Sequence, residues 1–173
     1  NNTDIIIVSE GTYDENIVWP DQNIELIGAG VDLTVINGDG EDRAVKFVSA
    51  NIDASSLLKH VTIQNGLGGV LIEGVNPTID SCKISNNIVR DDVGGGIKID
   101  GLGVENVAPI IRNSVIINNQ SIGSQSVSGA GAGVYIRSAA PMLLNNLIAF
   151  NEATLGERPI GGGILCFYAS PDI

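Results

Sequence analysis

Basic residues are scarce in this sequence. Nine lysines and arginines stand against 20 aspartates and glutamates, so the formal net charge is −11 at pH 7. A protein that binds a nucleic-acid backbone or an anionic membrane surface needs a concentration of positive charge. The sequence has no basic stripe, and we therefore predict that neither nucleic acid nor an anionic membrane surface is a partner.

Long apolar segments are also missing. No run of residues approaches the roughly 20 apolar residues that a membrane-spanning helix requires, so we expect no insertion into a membrane. The first residues, 1–4, are polar and lack the charged and then apolar regions of a signal peptide. We expect the chain to be either intracellular or, preferably, a mature or recombinant fragment without its targeting segment.

Cysteine and histidine are rare. The two cysteines, Cys82 and Cys166, are too few for a disulfide framework, and they fall on different predicted strands. Both occupy inward positions of the repeat described below, so we predict two buried, unpaired thiols. His60 is the only histidine, and we expect it at the surface rather than as a catalytic base, since the sequence offers it no identifiable partner.

Helical periodicity and aromatic residues are scarce too. No window places apolar residues at positions i, i+3, i+4 and i+7 over the length of a helix. The sequence has instead many short runs of alternating β-branched residues, each followed by glycine, asparagine or proline, and it contains 22 glycines. This combination predicts many short strands joined by tight turns, and almost no helix.

A repeat organises these strands. Residues 69–87 (GVLIEGVNPTIDSCKISNN) recur as 94–99 with 109–119, and again as 133–136 with 141–151, and a fourth copy begins at 163. The prolines of the four copies are 32, 32 and then 30 residues apart. A fixed period of this size is typical of a protein built from stacked repeats.

Aligning the copies on their prolines gives columns of apolar residues. The columns are Val70, Ile97, Val134 and Ile164; Ile72, Ile99, Ile136 and Cys166; Ile79, Ile111, Leu143 and Ile173; and Ile84, Ile116 and Ile148. Leu26 and Phe47 fit the second column, and Ile63 fits the last. One coil cannot bury such residues alone, but coils stacked about 4.8 Å apart, with parallel strands hydrogen-bonded between them, close a core. We predict an all-β parallel β-helix of about six coils, in a single domain over residues 1–173.

Two columns of asparagine follow the last apolar column. They are Asn65, Asn86 and Asn118, and then Asn87, Asn119 and Asn151. Asparagine tolerates the left-handed backbone of a sharp corner, and stacked asparagine side chains can hydrogen-bond along the stack. We interpret both columns as turn formers rather than as ligands.

The opening segments 7–17 (IVSEGTYDENI), 24–30 (IELIGAG) and 33–38 (LTVING), together with the asparagine columns, resemble the pectin-lyase-like superfamily. That superfamily consists of right-handed parallel β-helices, so the resemblance implies a right-handed coil. The segment Gly-Gly-Gly-Ile at 94–97 is similar to repeats of bacterial surface proteins of the polymorphic outer-membrane type, although the Phe-x-x-Asn half of that signature is missing. The resemblance covers nearly the whole chain.

In this superfamily the outward face of the first strand of each coil commonly holds a polysaccharide groove. Here the outward positions form two stripes: Glu25, Lys46, Leu71, Lys98, Tyr135 and Leu165; and Glu73, Asp100, Arg137 and Phe167. The candidate substrate-binding residues are Lys98, Asp100, Tyr135, Arg137 and Phe167. The resemblance implies what such a face can do: eliminative lyases of this fold use a basic residue together with Ca²⁺ bound by carboxylates.

Three interpretations of these residues stay open. They are ordinary solvated charge pairs between strands, a sugar-binding patch, or a catalytic site in which lysine or arginine removes a proton alpha to a uronate carboxylate. Asp91 and Asp92 lie on a loop nearby, and Ca²⁺ is a candidate ion of the catalytic alternative only. We expect no other cofactor. The catalytic segment of the pectin methylesterases, Gly-x-Val-Asp-Phe-Ile-Phe-Gly, is missing.

Two long loops, 101–108 and 120–132, are further candidates because loops on a rigid scaffold often carry function. If they converge, they form a binding feature. The part of the second loop that is rich in glycine and serine, 121–132, equally fits a disordered insertion.

We expect a non-catalytic extracellular or cell-surface module, structural or adhesive, which binds acidic or neutral polysaccharide. The alternative is a polysaccharide lyase or related carbohydrate-active enzyme that acts on acidic polysaccharide. The sequence ends inside the fourth copy of the repeat. We therefore expect either a fragment of a longer solenoid or end-to-end association of two chains through open coils.

Overall fold

The computed structural model describes residues 3–124, 128–156 and 158–173. Within these ranges the chain forms 21 β-strands and no helix, and hence no helix that is long and apolar enough to cross a membrane. The strands are β1 (Asp4–Val8), β2 (Gly11–Asp14), β3 (Ile17–Val18), β4 (Ile24–Gly28), β5 (Thr34–Asn37), β6 (Val45–Phe47), β7 (Leu57–Lys59), β8 (Thr62–Gln64), β9 (Val70–Glu73), β10 (Thr78–Asp80), β11 (Lys83–Ser85), β12 (Ile88–Arg90), β13 (Ile97–Asp100), β14 (Ile110–Arg112), β15 (Val115–Ile117), β16 (Gln120–Ile122), β17 (Val134–Arg137), β18 (Met142–Leu144), β19 (Leu147–Ala149), β20 (Glu152–Thr154) and β21 (Ile164–Phe167).

The strands form four parallel sheets that run along the stack of coils. Sheet A is β1-β4-β7-β10-β14-β18, sheet B is β2-β5-β8-β11-β15-β19, sheet C is β3-β6-β9-β13-β17-β21, and sheet D is β12-β16-β20. Consecutive strands of the chain enter different sheets, and each strand pairs with a strand one circuit further along. The predicted all-β parallel β-helix of about six coils is confirmed, because sheets A, B and C contain six strands each.

The strand register confirms the inward columns from residue 45 onward, except at Ile173, which is 74% exposed and not buried as predicted. In sheet C, Ile97 lies opposite Val70 and Val134, and Ile99 lies opposite Ile72 and Ile136. The same alignment holds for Ile79, Ile111 and Leu143 in sheet A and for Ile63, Ile84, Ile116 and Ile148 in sheet B. Most of these side chains are fully buried, and each contributes about 1.5–3 kcal/mol by leaving water. One continuous core results.

The inner asparagine column forms the predicted ladder at the corner that follows sheet B. Nδ2 of Asn87 donates to Oδ1 of Asn119 at 3.0 Å, and Nδ2 of Asn119 donates to Oδ1 of Asn151 at 3.0 Å. The outer column, Asn65, Asn86 and Asn118, has the predicted left-handed backbone, with φ between 55° and 59°. The role of both columns as corner residues is therefore confirmed.

The first coils differ from the prediction. Glu25 and Leu26 lie in sheet A, where Leu26 is opposite Leu58, and not in sheet C. Val18 holds the position next to Lys46 that was assigned to Glu25. The physical reason is that alternation of apolar and polar residues shows which side of a strand faces the core, but not which sheet the strand belongs to.

The second long loop begins as a strand. Gln120–Ile122 is β16, which pairs with both β12 and β20, so the expectation of a loop or disordered insertion is wrong for these three residues. The hydroxyl of Ser121 is buried and accepts a hydrogen bond from the N–H of Ala130 at 3.0 Å. Residues 125–127 of the predicted insertion lie outside the described residues. The first loop, 101–108, contains no strand, as expected.

The two cysteines have different environments. Cys82 is buried as predicted, but Cys166 is exposed. Cys166 does occupy the inward column, opposite Ile136. Its predicted burial is wrong because no strand of the described residues pairs with the outer side of β21.

We expect the two thiols to react with Ellman's reagent at very different rates. Burial raises the pKa of Cys82 to about 12, so the thiolate, which is the reactive form, is almost absent at pH 8, and the side chain is also inaccessible. One equivalent of thiol should therefore react in the native protein and the second only after unfolding in urea. The variant Cys166→Ser should show no fast phase. Two equally fast thiols in the native protein would contradict the burial of Cys82.

Candidate functional site

The outward side chains of sheet C form the predicted first-strand face, which we call the sheet C face. Its first stripe runs through Val18, Lys46, Leu71, Lys98, Tyr135 and Leu165, and its second through Glu73, Asp100, Arg137 and Phe167. The register places Lys98 beside Tyr135, and Arg137 between Asp100 and Phe167. All five predicted binding residues are therefore neighbours on adjacent strands.

Asp100 and Arg137 form an ion pair within the second stripe. Nη2 of Arg137 donates to Oδ2 of Asp100, and the N–H of Leu102 donates to Oδ1 at 3.0 Å. The side chain of Asp100 is only 3% exposed, whereas that of Arg137 is 47% exposed. Burial raises the pKa of Asp100, but the hydrogen bonds from Arg137 and Leu102 and the charges of Arg137 and Lys98 outweigh it, so the pKa lies below its ordinary value.

Lys98 does not bond to Asp100. Its Nζ donates to Oδ1 of Asp92 at 2.6 Å, and Nη2 of Arg43 donates to Oδ2 of the same carboxylate at 2.8 Å. Burial raises the pKa of Asp92, yet the hydrogen bonds from Lys98 and the Val93 N–H and the charges of Arg43 and Lys98 bring it below the ordinary value. Asp92 thus holds two cations at the edge of the face.

Aromatic side chains supply the apolar part of the sheet C face. Tyr135 is half-buried, and this burial raises its pKa, an effect that Arg137 opposes and that Asp100 and Asp92 increase. Phe167 is 49% exposed, and its ring meets the ring of Tyr168 edge to face, with centroids 4.5 Å apart. The ring of Tyr168 is 85% exposed.

A depression of about 280 Å³ adjoins the second stripe where the strands of sheet C end. Tyr168 and Ser138, which directly follow Phe167 and Arg137 in the chain, line one part of it, and Asn106 and Val107 of the first long loop line another. The other long loop precedes β17 and therefore lies at the opposite ends of the sheet C strands. In the parts of both loops that the structure describes, 101–108 with 120–124 and 128–132, the two loops do not converge.

The cations of the sheet C face are each paired with a carboxylate, and this suits them poorly to proton abstraction. Lys46 pairs with Asp42, Lys98 with Asp92 and Arg137 with Asp100. A general base must give up its own proton first, whereas the hydrogen bond and charge of Asp100 raise the pKa of Arg137. In residues 3–124, 128–156 and 158–173, no group of three or more His, Cys, Asp or Glu side chains is placed to hold a metal ion.

Sequence reasoning missed Arg43 and Tyr168. Arg43 is buried and reaches Asp92 and the carbonyl oxygen of Gly94, 51 residues away. The glycine at position 68 is a weak sequence signal for this contact, because it leaves the space that Arg43 fills. A Cβ at Gly68 would lie 2.7 Å from Cζ of Arg43. Tyr168 follows Phe167 at a corner with φ of 51°, and nothing in the repeat singles it out.

The fold and the face define a parallel β-helix protein with a mixed aromatic and ion-paired surface. Comparison with protein families and comparison with curated proteins each found no match for this chain.

Proposed function

We propose that this chain is a non-catalytic extracellular or cell-surface β-helix module that contacts polysaccharide through the sheet C face. One observation carries the proposal: Arg137 is fixed by Asp100 yet remains half-exposed, with Tyr135 two residues before it on the same strand and Phe167 opposite it on the next strand. A guanidinium has five N–H donors, so donors remain for a ligand oxygen after the bond to Asp100. The rings offer apolar surface to the C–H faces of sugar rings.

The charges of the face favour holding a ligand over transforming it. The lysines and arginines named above are each bonded to a carboxylate, which fixes their positions and neutralises them. Fixed donors lose little conformational entropy when a ligand binds. The raised pKa of Arg137 weighs against the alternative of a polysaccharide lyase, which needs a cationic group able to release its proton.

Other parts of the interpretation stay proposals. Membership of the pectin-lyase-like superfamily rests on the resemblance of residues 7–38 and on the coil architecture. An adhesive or structural role is inferred from the rigid, repetitive fold, which is an analogy at the level of architecture. Binding of Ca²⁺ and end-to-end association stay predictions.

The test is retention of the chain on immobilised polygalacturonate and on xylan, measured by affinity electrophoresis. We expect Tyr135→Ala and Arg137→Gln each to weaken retention about three- to tenfold, since each removes one ring contact or one charged hydrogen-bond donor. Arg112→Gln is the matched control, because Arg112 pairs with Asp80 at 2.9 Å on sheet A in the same manner. This control should leave retention unchanged.

A lyase assay with polygalacturonate and Ca²⁺ accompanies the binding test. Absorbance from unsaturated products that disappears in Lys98→Ala or Arg137→Ala would overturn the non-catalytic role. Equal losses of retention in Arg137→Gln and Arg112→Gln would show that the sheet C face is not the contact surface.

A further inference from the structure

A second concave surface lies at the corner between sheets B and D, away from the sheet C face. Its rim is the outer corner column, in which Asn65, Asn86, Asn118 and Phe150 follow one another at the ends of successive sheet B strands, with φ between 55° and 59°. Its floor includes the outward side chains Ile88 and Gln120 of sheet D, which are register neighbours. We call this surface the asparagine groove.

The asparagine groove is continuous over several coils. One part has a volume of about 380 Å³ and reaches from Asn65 to Phe150. A second part of about 260 Å³ shares Asn65, Asn86 and Ile88 with the first and extends to Arg90. The long axis therefore follows the stack of coils, and a ligand in the groove would cross successive coils rather than lie along one strand.

The groove presents amide groups that the fold does not use. The buried neighbours Asn87 and Asn119 direct their amides into the ladder, and Asn65 donates to Asn37 at 2.7 Å. The side chains of Asn86 and Asn118 are exposed, and within the described part of the chain neither makes a hydrogen bond. Each of these amides can donate two hydrogen bonds and accept two.

We propose that the asparagine groove binds a linear, neutral polysaccharide laid across the coils. Sugar hydroxyls donate and accept hydrogen bonds in the same way as amides, so the chemistries match without any charge. Asn86 and Asn118 recur at the spacing of one coil, roughly 4.8 Å, and a repeated contact suits a polymer with repeated units. Phe150, which is 83% exposed at one end of the rim, offers its ring face to the C–H groups of a sugar.

The charges around the asparagine groove favour a neutral ligand over an acidic one. Arg90 and Glu152 are charges of opposite sign at different ends of the groove, so the groove has no charge preference of its own. The chain as a whole carries −11, which disfavours a polyanion. A peptide strand would need unpaired backbone groups to extend a sheet, and along the rim these groups lie at corners between paired strands.

This proposal does not depend on the role of the sheet C face, because different residues carry the two. The probes are five neutral hexasaccharides, namely cello-, manno-, xylo-, laminari- and chitohexaose, titrated into the ¹⁵N-labelled 173-residue chain. We expect at least one to shift the side-chain amide signals of Asn86 and Asn118. The double variant Asn86→Gly, Asn118→Gly should then lose at least tenfold in affinity for that probe, since it removes two hydrogen-bonding groups.

Glycine is the informative replacement because it adopts positive φ without strain, so the corners should stay folded. Phe150→Gly removes the ring at a position where φ is 56°, and it should also lower affinity. Asn145→Gly is the control for a corner outside the groove: Asn145 is exposed after sheet A with φ of 53°, and its amide donates to Oδ1 of Asn113 at 2.9 Å. This substitution should leave binding of the probe unchanged.

The proposal is overturned if none of the five probes binds at millimolar concentration. It is also overturned if Asn145→Gly weakens binding as much as the double variant, or if the shifts occur on the sheet C face alone. Tighter, salt-dependent binding of oligogalacturonate at Asn86 and Asn118 would replace the neutral ligand by an acidic one. Loss of polysaccharide binding in Arg137→Gln, with unchanged probe binding at the asparagine groove, would bear on the proposed function and not on this inference.

Discussion

Gly96→Ala should destabilise the chain by about 3 kcal/mol, at the upper end of what overpacking costs. A Cβ at Gly96 would lie 2.5 Å from the carbonyl oxygen of Gly133 and 2.9 Å from Cγ2 of Ile116. The first of these atoms belongs to the backbone of the next coil and accepts the N–H of Ile97 at 2.9 Å. It cannot retreat unless the sheet opens. The measurement is the urea midpoint followed by circular dichroism.

Gly163→Ala is the matched control, since Gly163 occupies the same column one coil beyond Gly133. In the 173-residue chain a Cβ at Gly163 meets no atom within 4 Å, so the urea midpoint should hardly change. Equal destabilisation by both substitutions would mean that backbone conformation, and not the close approach of coils, requires glycine here. Gly69 and Gly133 have the same crowding as Gly96, which explains physically why the repeat begins with glycine.

Asn119→Ala should cost about 2–5 kcal/mol, because it removes the hydrogen bonds that Asn119 makes to two buried backbone groups. Oδ1 of Asn119 accepts the N–H of Asn87 at 3.1 Å, and its Nδ2 donates to the carbonyl oxygen of Ile84 at 2.9 Å. Both bonds join consecutive coils at a corner that water does not reach. The measurement is the free energy of unfolding from urea denaturation, compared between the variant and the unmodified chain.

Asn118→Gly provides the contrast, because Asn118 precedes Asn119 but is exposed and unbonded within the described residues. Glycine adopts the φ of 55° found at position 118 without strain. The free energy of unfolding should therefore change by less than about 0.5 kcal/mol, as for a surface substitution. Similar costs at positions 118 and 119 would show that the corner's conformation matters more than the ladder's hydrogen bonds.

The sequence predicts the later coils well because three independent signals coincide there. Glycine marks the start of β9, β13 and β17, proline precedes β10, β14 and β18, and asparagine follows β11, β15 and β19. Together they determine the register of each strand. The first coils lack the leading glycine. There alternation alone does not distinguish sheet A from sheet C, and the prediction for Glu25 and Leu26 is therefore wrong.

The sequence predicts which residues of the candidate site are neighbours, but not which of them form ion pairs. Adjacency of Lys98 to Tyr135 and of Asp100 to Arg137 follows from the register alone. Lys98 pairs with Asp92 and not with Asp100 because of the path of the loop after β12. That loop has no counterpart in the repeat, so the pairing could not be predicted. The asparagine groove could not be foreseen either, because sheet D exists only where β12, β16 and β20 add a fourth strand to the coil.

Arg43 has a mechanical consequence for the rod. Its guanidinium extends past Gly68 to the carbonyl oxygens of Val93 and Gly94, so one side chain ties the coil of β6 to the coil of β13 across the coil of β9 between them. Stacked repeats otherwise touch only their immediate neighbours and can peel away singly. Under tension along the axis, these three coils should therefore yield together.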